Sequence, residues 1–333
     1  MTQSNQPGQS DRTSAPASPE DEHREVRLGV ILGLVSALGY TGANLALRQV
    51  AVPNDIGWAV WVTANKAVPA ALAGWLIIAW RASRGLPAFP PRRLIWPMIV
   101  VGLLMQYGGN LMFQWSLSLG GLAVSVPLCF AALIVTGAWL GRVYLGDPTT
   151  PRTLLSIGVL VGAICLLSSG AGEATAMLNE NATTLTIVLA ITTALMSGAS
   201  YAVSGVMIRH LTRTLSLSLS ASIVVFSTVG VVVMGIHSLF QPGLERISAT
   251  TADEWWTIIA AGWMNALAFF AVAGSLKRIS VTFSNVVNAS QNALCAAAGV
   301  LLFSEPLTTP LVAGCVLTVV GMMVIDTGRR PRP

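Results

Sequence analysis

Charge is scarce in this chain. Asp, Glu, Lys and Arg together make up 10% of its 333 residues, and only 14 of them are acidic. Soluble globular chains carry about 25% charged residues, so the scarcity excludes an ordinary soluble domain. Histidine is rarer still, with three copies. No HExxH, GxSxG or phosphate-binding glycine loop occurs, and no two acids fall together inside an apolar run, which leaves no acid–base pair, nucleophile or metal set for an enzyme. The four cysteines, Cys129, Cys165, Cys295 and Cys315, lie inside apolar runs without CxxC spacing. They read as small buried hydrophobes rather than disulfides or metal ligands. No cofactor is expected.

What is plentiful is apolar: 53% of the residues. The composition is that of a polytopic membrane protein. Ten spans can be read, at roughly 27–47, 57–80, 94–117, 121–143, 153–170, 185–208, 215–238, 255–275, 281–303 and 309–326. Each is close to the ~20 residues that a helix needs to cross a bilayer. They are too long and continuous for barrel strands, so the expected fold is all-helical. The formal charge of +5 is spread between the spans rather than gathered in a patch, which excludes nucleic acid as a partner. The expected partners are the lipid bilayer and a small-molecule solute, with the chain working as a monomer or homodimer. Residues 1–26, polar and rich in Ser, Pro and acids, read as a disordered tail.

Loop charge assigns the sides. Arg81, Arg84, Arg92, Arg93, Arg142, Arg152, Arg209, Arg213, Lys277, Arg278 and Arg329 all fall on one side, with the basic residues of the tail. The other side holds Arg48 and Arg246 among several acids, including Asp55, Asp253 and Glu305. Both termini are therefore expected in the cytoplasm, in a bacterial plasma membrane. Trp58, Trp61, Trp80, Trp96, Trp139, Trp255 and Trp256 fall near span ends and read as headgroup anchors.

The stretch 121–170 recurs at 279–328. A shift of 158 places Ala131 on Ala289, Gly141 on Gly299, Asp147 on Glu305 and Pro148 on Pro306; one extra residue in the second turn then places Gly162 on Gly321. A weaker match at a shift of 161 sets Tyr40 on Tyr201 and Arg48 on Arg209. Five spans per half is an odd number, so the second half must lie upside down. The expected domains are a first repeat at 27–170, an external linker at 171–184, a second repeat at 185–328 and a basic end at 329–333. Inverted repeats are the symmetry of many secondary transporters, whose substrates bind near the midplane. The two acid–Pro turns read as caps that start the helices following them.

Polar residues inside the spans are costly in lipid and therefore informative. Lys66 lies near the middle of span 2, where an ionised lysine costs at least ~3 kcal/mol by insertion scales. Span 9 carries Ser284, Asn285, Asn288, Gln291 and Asn292 at steps that return to one helix face. Span 3 offers Gln106, Tyr107, Asn110, Gln114 and the neighbouring Trp115; span 6 offers Tyr201 within a serine stripe; span 1 offers Tyr40 and Asn44; span 8 offers Asn265. Cross-helix bonding alone would account for any one of them. Together they suit a lined path for a polar organic molecule. The candidate substrate-binding set is Lys66, Tyr40, Asn44, Tyr107, Asn110, Gln114, Trp115, Tyr201, Asn265, Asn285, Asn288 and Asn292.

These features resemble the ten-helix drug/metabolite transporters built from two EamA-type domains. The resemblance rests on the small-residue spans Ala131 to Leu145 and Ala289 to Phe303, the Asp147–Pro148 and Glu305–Pro306 turns, Gly162 and Gly321, the basic residue in span 2 and Pro127 in span 4. It covers about residues 27 to 328. It implies a carrier that moves amino acids or related compounds, usually outward, by alternating access; sugar-nucleotides, sugar phosphates and amine drugs are the wider alternatives. A membrane receptor or scaffold is the alternative of a different class, and it has no need of two polar-lined halves.

Overall fold

The computed structural model describes residues 19–53, 55–147, 150–178, 183–241, 243–288, 290–305 and 308–324, and among these it contains helix and no strand. Among the described residues, six segments are long and apolar enough to cross a membrane: His23–Gln49, Ile56–Ser83, Arg92–Leu145, Thr184–Thr214, Leu219–Phe240 and Ala252–Arg278. Shorter apolar helices cover Leu154–Leu167, Leu294–Phe303 and Thr309–Gly321.

The segment Arg92–Leu145 is two limbs. It comprises α4 (Arg92–Leu104), a π-helical turn (Met105–Leu111) and α5 (Met112–Leu145). Within α5 the chain reverses at Gly121, whose φ of 69° and ψ of −173° suit only glycine. The Ser116 and Ser125 hydroxyls meet at 2.7 Å. Nine residues along an unbroken helix would hold them ~13 Å apart. The same rivet recurs in the second half of the chain. Ser284 donates to Ser275 at 2.9 Å, also nine residues apart, across the junction of α11 (Ala252–Arg278) and α12 (Val281–Asn288).

Two other spans are broken in mid-course, which hydropathy did not predict. The second is split into α2 (Ile56–Lys66) and α3 (Val68–Ser83). Pro69 stands in the first turn of α3 and has no N–H for the Asn65 carbonyl, so the helix loses a rung there. The ninth is split into α12 and α13 (Gln291–Phe303). The remaining elements are α1 (Pro19–Gln49), α6 (Pro151–Leu178), α7 (Thr184–Arg209), α8 (Leu219–Val229), α9 (Gly235–Phe240), α10 (Gly243–Ser248) and α14 (Thr309–Val324), with two further π-helical turns at His210–Thr214 and Gly230–Met234.

Several boundaries move. The first helix begins at Pro19, so residues 19–26 are helical rather than tail, and 1–18 lie outside the described residues. The helix expected to stop at 170 runs to Leu178; of the expected linker only 183 and 184 are described beyond it. The basic end at 329–333 lies outside the described residues. Trp58 is not a headgroup anchor. It is 1% exposed, and its indole N–H donates to the Val50 carbonyl at 2.6 Å. Trp80, Trp96, Trp139 and Trp256 do face outward.

Packing joins the two halves of the chain. α5 runs against α7 so closely that a Cβ on Gly198 would collide with the Cys129 carbonyl. α1 lies on α11, and α6 lies on α14, where Ser156 donates to the Gly321 carbonyl. Three ion pairs among the described residues also cross between halves, one of them Arg278 Nε with Glu25 of α1 at 3.1 Å. Glu305 accepts from Arg48 Nε at 2.8 Å and from the backbone N–H groups of Leu122 and Ala123, each at 2.9 Å. Those two amides open the limb that follows Gly121, so the carboxylate fills orphan donors at a helix start. Asp147 accepts from Arg209 Nη2 at 3.2 Å, while Arg209 Nη1 donates to the Ile279 carbonyl. Among the described residues Glu305 thus caps a helix of the other half rather than the one that follows it in sequence.

Candidate functional site

The broken helices and the π-helical turn at Met105–Leu111 face one cavity. It encloses about 870 Å³ of non-atom space including its open mouth, of which water centres can occupy about 110 Å³. Its walls come from both halves of the chain: α1, the α2–α3 break, the π-turn, α5, α7, α11, α12 and the first residue of α13. Lys66 stands at the C-terminal end of α2 and is 2% exposed. It is the one ionic side chain among the described residues lining the cavity.

Of the sequence candidates, Lys66, Tyr40, Asn44, Asn110, Tyr201, Asn265, Asn285 and Asn288 line this space together. A relay fixes one wall. The Tyr201 hydroxyl donates to Asn110 Oδ1 at 3.0 Å, Asn110 Nδ2 donates to Gln106 Oε1 at 2.9 Å, and Gln106 Nε2 donates to the Phe226 carbonyl at 3.0 Å. A second brace spans α1 and α13. Asn44 Nδ2 donates to Gln291 Oε1 at 3.3 Å, and Gln291 Nε2 donates to the Asn288 carbonyl at 3.3 Å. Asn285 Nδ2 and Asn288 Oδ1 are buried without a protein partner among the described residues. Buried polar atoms are nearly always satisfied. Both atoms are enclosed within the wall, Asn285 Nδ2 lying against Gly137 of α5, so a solute or water would meet them only after a side-chain rotation.

Tyr107, Gln114, Trp115 and Asn292 stand apart from the cavity lining. Tyr107 stacks on His237 at 5.8 Å between ring centres. Gln114 Nε2 reaches the Leu47 carbonyl at 3.4 Å, and Trp115 is half-buried. Asn292 is 2% exposed, and neither of its amide atoms has a partner among the described residues. The π-turn explains the scatter in the third span. It adds a residue to the turn and so rotates everything after it, and a stripe drawn at 3.6 residues per turn does not survive as one face. The helix break before Gln291 has the same effect on Asn292. Cys129, Phe130 and Phe269 line the cavity without a sequence signal, because buried apolar residues look alike whether they face a neighbour or a cavity.

Among the described residues no three His, Cys, Asp or Glu side chains gather to hold a metal ion. Residues 186–327 match the family model described as the EamA-like transporter family. A solved crystal structure aligns with 89% of this chain and 95% of its own length, at a TM-score of 0.60 and 19% identity, which is a likeness of fold. Among curated proteins no matching relative was found. The second half of the chain thus carries an EamA-like region, and the chain is a multi-pass membrane transporter.

Proposed function

We propose that this chain is a secondary transporter for a small polar organic metabolite, an amino acid or a related carboxylate compound, which it exports across a bacterial plasma membrane with both termini in the cytoplasm. Two inverted five-helix halves, 27–170 and 185–328, rock about the central cavity and open it alternately to each side. The observation that carries this reading is the cavity itself, a polar band around Lys66 built from both halves and reached by three interrupted helices. The recurring serine rivets support the repeat. The ion pairs support the rocking: counted along the spans, Arg48 and Arg209 end up at opposite membrane faces, and each is tied to an acid of the other half. Export is the direction that the family resemblance implies.

The test is counterflow in liposomes containing the purified chain. The vesicles are preloaded with a mixture of amino acids and their deaminated and 2-oxo counterparts, and the Lys66→Ala variant is run beside the wild type. Saturable exchange that the variant loses is expected. Absence of saturable exchange for every member of the mixture would sink the reading.

A further inference from the structure

The charge inventory of the cavity narrows that substrate class; this step rests on the transporter reading for its context and on the cavity alone for its content. Among the described lining residues there is one cation, Lys66, and no carboxylate. The described acids nearest the bundle are already engaged. Glu305 is held by Arg48 and two backbone amides, Asp147 by Arg209, and Asp55 by the Trp58 N–H at the start of α2. A zwitterion brings its ammonium into a space that offers it only neutral acceptors and sets it beside the one cationic side chain of the lining. In a poorly screened site, like charges a few ångströms apart repel strongly. A solute with one carboxylate and no ammonium neutralises Lys66 and leaves nothing unpaired.

The shape of the wall supplies the second half of the argument. Asn265, Phe269, Val272 and Leu276 recur at steps of four, three and four on α11 and form one stripe. Lys66 lies at the upper end of this stripe, where its backbone carbonyl approaches Gly262. Below Asn265 the stripe is wholly apolar, and Ile208 of α7 also lines the cavity. From Asn265 to Leu276 it runs roughly 16 Å at the helical rise. A charged head at Lys66 therefore has a long apolar bed beside it.

We propose that the cavity selects amphiphilic monocarboxylates without an ammonium group, the carboxylate seated on Lys66 and the apolar body lying along the Phe269, Val272 and Leu276 stripe. The aliphatic or aromatic nature of the body is left open by the wall; the count of head-group charges is not.

The experiment is calorimetric titration of the chain in lipid nanodiscs with four probes that share a skeleton: 3-phenylpropanoate, L-phenylalanine, 2-phenylethylamine and propanoate. Phenylpropanoate is expected to bind at least ~10-fold more tightly than phenylalanine, with the amine weakest and propanoate weaker than phenylpropanoate. Lys66→Gln should lower phenylpropanoate affinity by roughly 10- to 100-fold, the worth of a hydrogen bond to a charged group, and leave phenylalanine almost unchanged. Lys66→Arg should keep the preference. Equal or tighter binding of phenylalanine or of the amine overturns the proposal, as does failure of all four to bind. Equal affinity for propanoate overturns the apolar bed. Lys66-dependent binding of phenylpropanoate without counterflow would uphold the site and refute the transporter reading, so the two fail separately.

Discussion

Two of the ion pairs that tie the halves together stand at matching positions of the recurring sequence stretch and are built differently. At one corner Glu305 is saturated: Arg48 and two helix-opening amides bind it at 2.8 to 2.9 Å, and its side chain is fully buried. Arg48 also lies 5.7 Å over the Phe303 ring. At the other corner Asp147 is one methylene shorter, its bond to Arg209 is 3.2 Å long, and its Oδ2 is buried without a hydrogen bond among the described residues. Burial raises the Asp147 pKa above the usual carboxylate range, against the opposing pull of Arg209, Arg213 and the Val281 amide. One corner is a cap with a cation added; the other is a loose pair at a carboxylate that is poorly solvated. Matching positions of the sequence are thus built as a saturated cap in one half and as a looser pair in the other.

The contrast can be broken in order of expected effect. Glu305→Ala strands Arg48 and two amides and should cost about 3–5 kcal/mol of stability, read as a fall in thermal midpoint in nanodiscs. Asp147→Ala should cost less than half as much, and equal losses would erase the distinction. Charge reversal comes next. Asp147→Arg combined with Arg209→Asp should recover most of what either change loses alone. Glu305→Arg combined with Arg48→Glu should not, because arginine has no acceptor for the Leu122 and Ala123 amides. Double-mutant cycles on the same midpoints measure the two couplings.

A pH series sharpens the comparison further. The folded pKa of Asp147 lies above its unfolded value, so its contribution is fully present below the unfolded value near 4 and is lost as pH rises through the folded one. Wild type should therefore gain on Asp147→Asn as the pH falls from 7 toward ~4, and a constant gap between the two midpoints would count against the loose corner. The smallest effect is expected from Arg48→Lys. It keeps the charge and one hydrogen bond but gives up the Phe303 face, about 0.5–1 kcal/mol.

Much of this architecture could be read from residues alone, and the reasons are physical. Apolar runs must become helices in lipid, so the span positions followed from hydropathy, and the repeated acid–Pro turns located the corners. The partners of those acids were not legible, because Glu305 and Leu122 are brought together only by the packing of α5 against α13. Lys66, Asn110, Tyr201 and Asn288 could be singled out because polar atoms are expensive in a bilayer wherever they point. The four candidates that stand off the cavity were misplaced by interruptions in helical phase: the π-turn at Met105–Leu111 and the break before Gln291. Trp58 was misread because an indole near a span end looks the same whether it faces headgroups or the Val50 carbonyl.

The gap in the ladder at Pro69 has a mechanical meaning. A continuous helix is a stiff rod, and a rod through the centre of a rocking machine would have to follow one side or the other. Here the rod is jointed at the level of Lys66. Its far segment, α3, leans on α8, where Gly74 meets Val224, and the joint itself lies on Gly262 of α11, which meets both Pro69 and the Lys66 carbonyl. On the rocking reading proposed above, displacement of a wall would be taken up at this joint, and Lys66 would stay near the pivot.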